Sequence, residues 1–123
     1  MSRDWLLYLG DLIEGAEKIE RFVRGRTFET FLLVELAFDA VLFNLHVIGE
    51  ATKMLPADVL AELPRSDRSG PARLRDLIAH HYFALDPEII WEVVTKHVPA
   101  MLAKARELEV KAQNETRGAG EAQ

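Results

Sequence analysis

Eight consecutive residues, Arg75-Asp76-Leu77-Ile78-Ala79-His80-His81-Tyr82, hold the densest set of side chains able to do chemistry in this sequence. The Arg75 guanidinium keeps its charge at any working pH and matches phosphate oxygens two at a time. His80 can exchange a proton near neutrality, and the Tyr82 hydroxyl can polarise a reacting group. Such a set can cleave an RNA link without a metal. A base takes the proton from a ribose 2′-hydroxyl, that oxygen attacks the adjacent phosphorus, and the arginine steadies the developing charge. Just upstream, Arg65, Arg68 and Arg73 join Arg75 to place four guanidinium groups within eleven residues of an otherwise acidic chain. Both features also have a plainer reading. The arginines can be a solvated loop balancing nearby carboxylates, and a histidine at a helix end is often a cap.

Helical geometry constrains the chemical reading. Arg75 and Tyr82, seven apart, share a helix face, but His80 lies about 140° around the helix from Arg75. One undistorted helix therefore cannot aim both at the same phosphate. Either the helix unwinds near His80 or two chains assemble the site. A twofold contact places the same patch opposite itself and would bring both copies together.

The elements around these residues read as helices. Trp5, Leu9, Leu12, Ala16, Ile19 and Val23 step by four and three, the spacing of one apolar helix face, with Ser2 as cap and Arg24-Gly25-Arg26 as stop. Thr27 is placed to cap a second helix, with Glu29 in its first turn, running to about Leu55 before Pro56. That helix is unusually apolar, with 14 hydrophobic residues in the 18 from Phe31 to Ile48. Its polar residues Glu35, Asp39, His46, Glu50 and Lys53 fall within an arc of roughly 60°. Three or four neighbouring helices can hardly cover such a helix, so a second subunit is the economical cover. A short helix over 57–63, a fourth from Pro71 to about His81, and a last one opened by Asp86-Pro87-Glu88 complete the set. Pro99 should kink the last helix. No strand-like alternation, phosphate-binding glycine loop or internal repeat is present. The expected fold is an all-α, up-down bundle of about five helices spanning residues 1–112, with a polar, disordered tail over 113–123.

Composition narrows the function classes. The chain has 123 residues, no cysteine and a net charge of −5. It can have neither disulfides nor thiolate chemistry, which suits a reducing cytoplasmic setting. The acidic balance argues against a chain that coats nucleic acid, while leaving room for a local basic site. Glu35 and Asp39 make the Phe31–Ile48 stretch a poor membrane span, so no membrane is expected.

Arg75, four residues, His80, one residue, Tyr82 resembles the R-x4-H-x-Y motif of HEPN domains. Asp39-Ala40-Val41, Asn44-Leu45, Ile48-Gly49-Glu50-Ala51, Tyr82-Phe83, Asp86 and Trp91 resemble the HepT-like branch, and the likeness runs to about Leu108. The resemblance implies a helical homodimer with the paired motifs lining a cleft at its interface. It implies a metal-independent ribonuclease of type VII toxin–antitoxin pairs, silenced by a minimal nucleotidyltransferase antitoxin that adenylylates the motif tyrosine. Carried over, Arg75 would stabilise the scissile phosphate and His80 would be the general acid or base. Tyr82 would be the active-site hydroxyl and modification target. Arg65, Arg68 and Arg73 would bind RNA, and Asp76 and His81 would support the site. No cofactor and no metal is implied. Asp76 stands where the family usually has asparagine, placed to orient His80 or pair with an arginine. The tryptophan usual before the motif is missing, and Arg68-Ser69-Gly70-Pro71 occupies that region. The alternative reading is a non-catalytic HEPN module that binds nucleotide, RNA or the partner nucleotidyltransferase through the same cleft; a third is a purely structural helical dimer.

Other groups carry plainer expectations. His46, His97, His80 and His81 lack metal-ligand spacing. His46 and Glu50 are spaced to meet on one helix face as a structural pair. Asn44 faces the apolar side and reads as a buried residue setting helix register or the subunit contact. Trp5 and Trp91 read as core or interface anchors.

Overall fold

In the computed structural model, which describes residues 4–63 and 86–121 with side chains to residue 115, the four-and-three spacing of the first segment forms helix α1, Asp4–Val23. Leu9, Leu12, Ala16 and Ile19 are buried along one face. The stop falls at Gly25, whose φ of +74° is in the left-handed region that costs glycine little.

Thr27 then caps α2, Phe28–Leu33. Its Oγ1 accepts from the Thr30 N–H at 3.2 Å, while the Thr30 hydroxyl oxygen accepts from the Thr27 N–H at 2.8 Å. This reciprocal pair satisfies donors that a bare helix start would leave to water.

The long second helix expected from the sequence is two helices. At Val34 the backbone turns extended (φ −104°, ψ 90°), and α3 restarts over Glu35–Lys53. Helix propensity alone marks no break there, and burial supplies the reason. The break goes with a Phe31 that is wholly buried, its ring 5.5 Å from Phe38 and 5.1 Å from Trp91. Aromatic contacts of this kind outweigh the loss of one turn of hydrogen bonding. Valine, β-branched, suits the extended residue at the corner.

Pro56 caps α4, Ala57–Glu62, as its fixed φ near −60° allows. Asp86 caps α5, Pro87–Glu92: its Oδ1 accepts from the Glu88 N–H at 2.9 Å, with Pro87 just inside the helix. A π-helical turn, Val93–His97, leads into α6, Val98–Glu121. The kink expected at Pro99 takes this form. Proline offers no N–H to the Thr95 carbonyl and its ring crowds that oxygen, and a widened turn gives the carbonyl room. Within the turn, the Thr95 hydroxyl donates to the Trp91 carbonyl at 2.7 Å. Helix α6 continues to Glu121, beyond the expected end near residue 112. Lys111, Ala112, Gln113 and Glu115 are good helix formers, and no proline interrupts them.

Among the described residues every element is a helix and none is a strand. They pack as a bundle in which α1 lies against both α3 and α6, and α2 against α3 and α5. Gly15 permits the closest approach: a Cβ there would sit 3.2 Å from Ile48 Cγ1. Ion pairs that cross between helices include Arg106–Glu17 at 3.4 Å and Lys104–Glu62 at 3.9 Å. Both are exposed enough to contribute little. No described helix is long and apolar enough to cross a membrane.

Phe31→Ala should lower unfolding free energy by about 3–5 kcal/mol, and Thr27→Ala by about 1 kcal/mol. Urea unfolding followed by circular dichroism reads both as a lower midpoint at unchanged slope. A Phe31→Ala loss under about 1 kcal/mol would show that the aromatic cluster is not a core element.

Candidate functional site

Arg65, Arg68, Arg73, Arg75, Asp76, His80, His81 and Tyr82 lie outside the described residues, as does the fourth helix expected from Pro71 to about His81. The structure supplies the two anchors from which that segment leaves and to which it returns. Upstream, Leu63 is 1% exposed, and its N–H donates to the Leu60 carbonyl at 3.1 Å. Downstream, the Asp86 cap starts α5, and Ile90 is fully buried one turn later. Trp91 packs on Phe31 and, at 6.3 Å, on Phe28. Leu63 and Ile90 belong to one hydrophobic core, with Trp91 packed against it. The residues that flank positions 64–85 on either side thus belong to the same core.

The charge pattern singles out this segment as well. Residues 64–85 carry four arginines against two aspartates, Asp67 and Asp76, in a chain whose overall balance is −5. A locally cationic stretch in an acidic protein concentrates anionic ligands at one place instead of over the whole surface.

Residues that carry the family resemblance elsewhere are placed by α3 and α5. Asn44 is buried, as expected, and its Nδ2 donates to the Ala40 carbonyl at 2.8 Å, one turn back on its own helix. Gly49 and Ala51 are buried as well, while Asp39 and Glu50 are exposed. His46 and Glu50 both line a groove of about 380 Å³ between α1 and α3, with Tyr8, Asp11, Phe43, Val47 and Met54. Trp5 is half-buried and Trp91 is packed on the core, in keeping with their reading as anchors. Among the described residues no three His, Asp or Glu side chains are arranged to hold a metal ion.

One cleft was not foreseeable from spacing. Trp5, Asp58, Glu62, Leu108, Lys111 and Glu115 line about 320 Å³ where α1, α4 and α6 meet. Its members come from three helices, and only the tertiary arrangement brings them together.

Residues 12–108 match the family model described as "Ribonuclease HepT-like". The chain is 38% identical over 107 residues to "Putative RNase MJ0127" of Methanocaldococcus jannaschii, covering 87% of this chain and 88% of that protein. It is 36% identical over 108 residues to "Probable ribonuclease HepT" of Thermococcus cleftensis, covering 88% of this chain and 98% of that protein. A third relative, "Putative RNase TTE0752" of Caldanaerobacter subterraneus, is 30% identical over 101 residues, 82% of this chain and 90% of that protein. No solved structure matches.

Asp86→Ala should cost about 1 kcal/mol by removing the acceptor for the Glu88 N–H, and Asp86→Asn much less. Thermal unfolding checks the loss, and faster amide exchange at Glu88 assigns it to the cap. Equal losses for Ala and Asn would show that the side-chain oxygen is not what holds the start of α5.

Proposed function

The chain belongs to the HepT-like ribonuclease family, and from that premise we propose that it is a metal-independent RNA endonuclease, the toxin of a toxin–antitoxin pair. What carries the reading is the match over residues 12–108, which contains Arg75, His80 and Tyr82 at the R-x4-H-x-Y spacing.

In this reading His80 removes the proton from a ribose 2′-hydroxyl. The 2′-oxygen bonds to the neighbouring phosphorus, the bond to the 5′-oxygen of the next nucleotide breaks, and that oxygen takes up a proton as it leaves. The products are a 2′,3′-cyclic phosphate and a free 5′-hydroxyl. Arg75 binds the non-bridging oxygens, where charge grows in the transition state. Arg65, Arg68 and Arg73 hold flanking phosphates, and Asp76 and His81 orient the reacting groups. The angular mismatch between Arg75 and His80 on a regular helix favours a cleft built by two copies of the chain. The antitoxin is a minimal nucleotidyltransferase that transfers AMP from ATP to Tyr82: the tyrosine oxygen gives up its proton and bonds to the α-phosphorus, whose bond to the β-phosphate oxygen breaks, releasing pyrophosphate. That modification places a bulky anion where substrate phosphate must bind, which blocks the site.

Asp76 favours a second reading. Its carboxylate, directly after Arg75, opposes an RNA phosphate, so the same cleft can bind RNA, nucleotide or the nucleotidyltransferase without cutting.

Incubation with RNA in the presence of a chelator separates the two. Cleavage that persists in chelator and falls by about 10²–10⁴-fold in His80→Ala supports catalysis. Binding without cleavage supports the second reading. After co-expression with a neighbouring nucleotidyltransferase, intact-mass analysis should show one AMP per chain, absent in Tyr82→Phe. A neutralised complex with unmodified Tyr82 would overturn the regulatory step.

A further inference from the structure

The cleft where α1, α4 and α6 meet combines an apolar wall with charged groups drawn from two helices. Trp5, Val59 and Leu108 form the wall, Asp58 and Glu62 come from α4, and Lys111 and Glu115 come from α6. Leu108 is buried, and Trp5 and Val59 pack on the edge of the core. The volume of about 320 Å³ is room for about ten water molecules. That is the small end of the range for pockets that hold organic ligands.

Three carboxylates against one ammonium leave this lining with a charge of −2. Other acidic residues of the bundle are neutralised by pairing: Glu17 with Arg106 at 3.4 Å, Glu107 with Lys104 at 3.3 Å, and Glu14 with Lys18 at 3.2 Å. Among the described residues Asp58 and Glu115 have no ion-pair partner, and Glu62 has Lys104 at 3.9 Å. Unpaired carboxylates beside an indole suit a cation, because the ring's electron-rich face adds its own attraction. The apolar wall suits a cation that also carries methylene groups.

Two other ligand classes fit less well. A divalent metal ion needs several oxygens converging on one point, and among the described residues no three carboxylate or imidazole groups are so arranged. An anion meets a lining of its own sign. We propose that the cleft binds a linear aliphatic polyamine. Its ammonium groups pair with Asp58 and Glu115, and its methylene groups lie along Trp5, Val59 and Leu108. The site goes beyond the RNA reading and is separate from it, since a polycation and a phosphate chain require opposite surface charge.

The probe is spermidine, titrated into the full chain by calorimetry and, in a Trp91→Phe background, by the emission of Trp5, then the sole tryptophan. Both readouts should saturate with one affinity. Asp58→Asn with Glu115→Gln should weaken binding about three- to tenfold, and Lys111→Gln should tighten it about twofold by removing the like charge. Trp5→Leu should weaken it about threefold. Circular dichroism checks that each variant folds, and the charge substitutions are all at exposed positions. Glu29→Gln with Glu35→Gln, exposed carboxylates of α2 and α3, should bind as the unaltered chain does. Equal weakening by that pair would overturn the site, because binding would then be a diffuse counterion effect. An emission change reproduced by sodium or magnesium chloride at equal ionic strength would overturn it too. So would the absence of any saturable response, or an affinity unmoved by Asp58→Asn with Glu115→Gln.

Discussion

Gly15 brings α1 against Asn44 and Ile48 of α3 with almost no space between them. Much of the fold follows from that contact. A helix can turn only part of its circumference toward one neighbour, and α3 is apolar over more than that part. Once α1 and the core have taken Val41, Leu45 and Ile48, the side bearing Leu36, Phe43 and Met54 faces outward. The close contact stabilises the monomer and also determines which surface α3 offers to anything else.

A second constraint runs through the aromatic cluster of Phe28, Phe31, Phe38 and Trp91. It ties the corner at Val34 to α5, which begins where the chemically dense segment ends. Two departures from regular helix, the extended residue at Val34 and the π-helical turn at Val93–His97, lie on either side of this cluster. Each has a local cause, the burial of Phe31 in one case and Pro99 in the other. Both adjust how the helices meet at Trp91, and so how the segment's downstream anchor is held.

Family membership comes from similarity along most of the chain, and the chemistry from the types and spacing of Arg75, His80 and Tyr82. The described helices contribute the frame: one buried leucine upstream, one capped helix downstream, and one core holding both.

Much of this was legible in the sequence. The α1 face, the Thr27 and Asp86 caps, the stops at Gly25 and Pro56, and the buried position of Asn44 all follow from spacing and local chemistry, because each depends on neighbours within about one helical turn. The R-x4-H-x-Y spacing and the flanking matches around Asp39, Asn44, Ile48 and Trp91 are equally local, so the family was legible before any fold was known. The break at Val34 was not legible, since helix propensity favours continuing, and only Trp91, far along the chain, makes burying Phe31 the better outcome. The cleft under Trp5 was likewise not marked by local pattern, whereas the continuation of α6 past residue 112 follows helix propensity that the polar composition of that stretch masked. Which apolar residues of α3 face α1 and which face outward was decided by tertiary structure alone. Hydrophobicity states that a side chain is better out of water, but only the packed neighbours determine which side chains are covered.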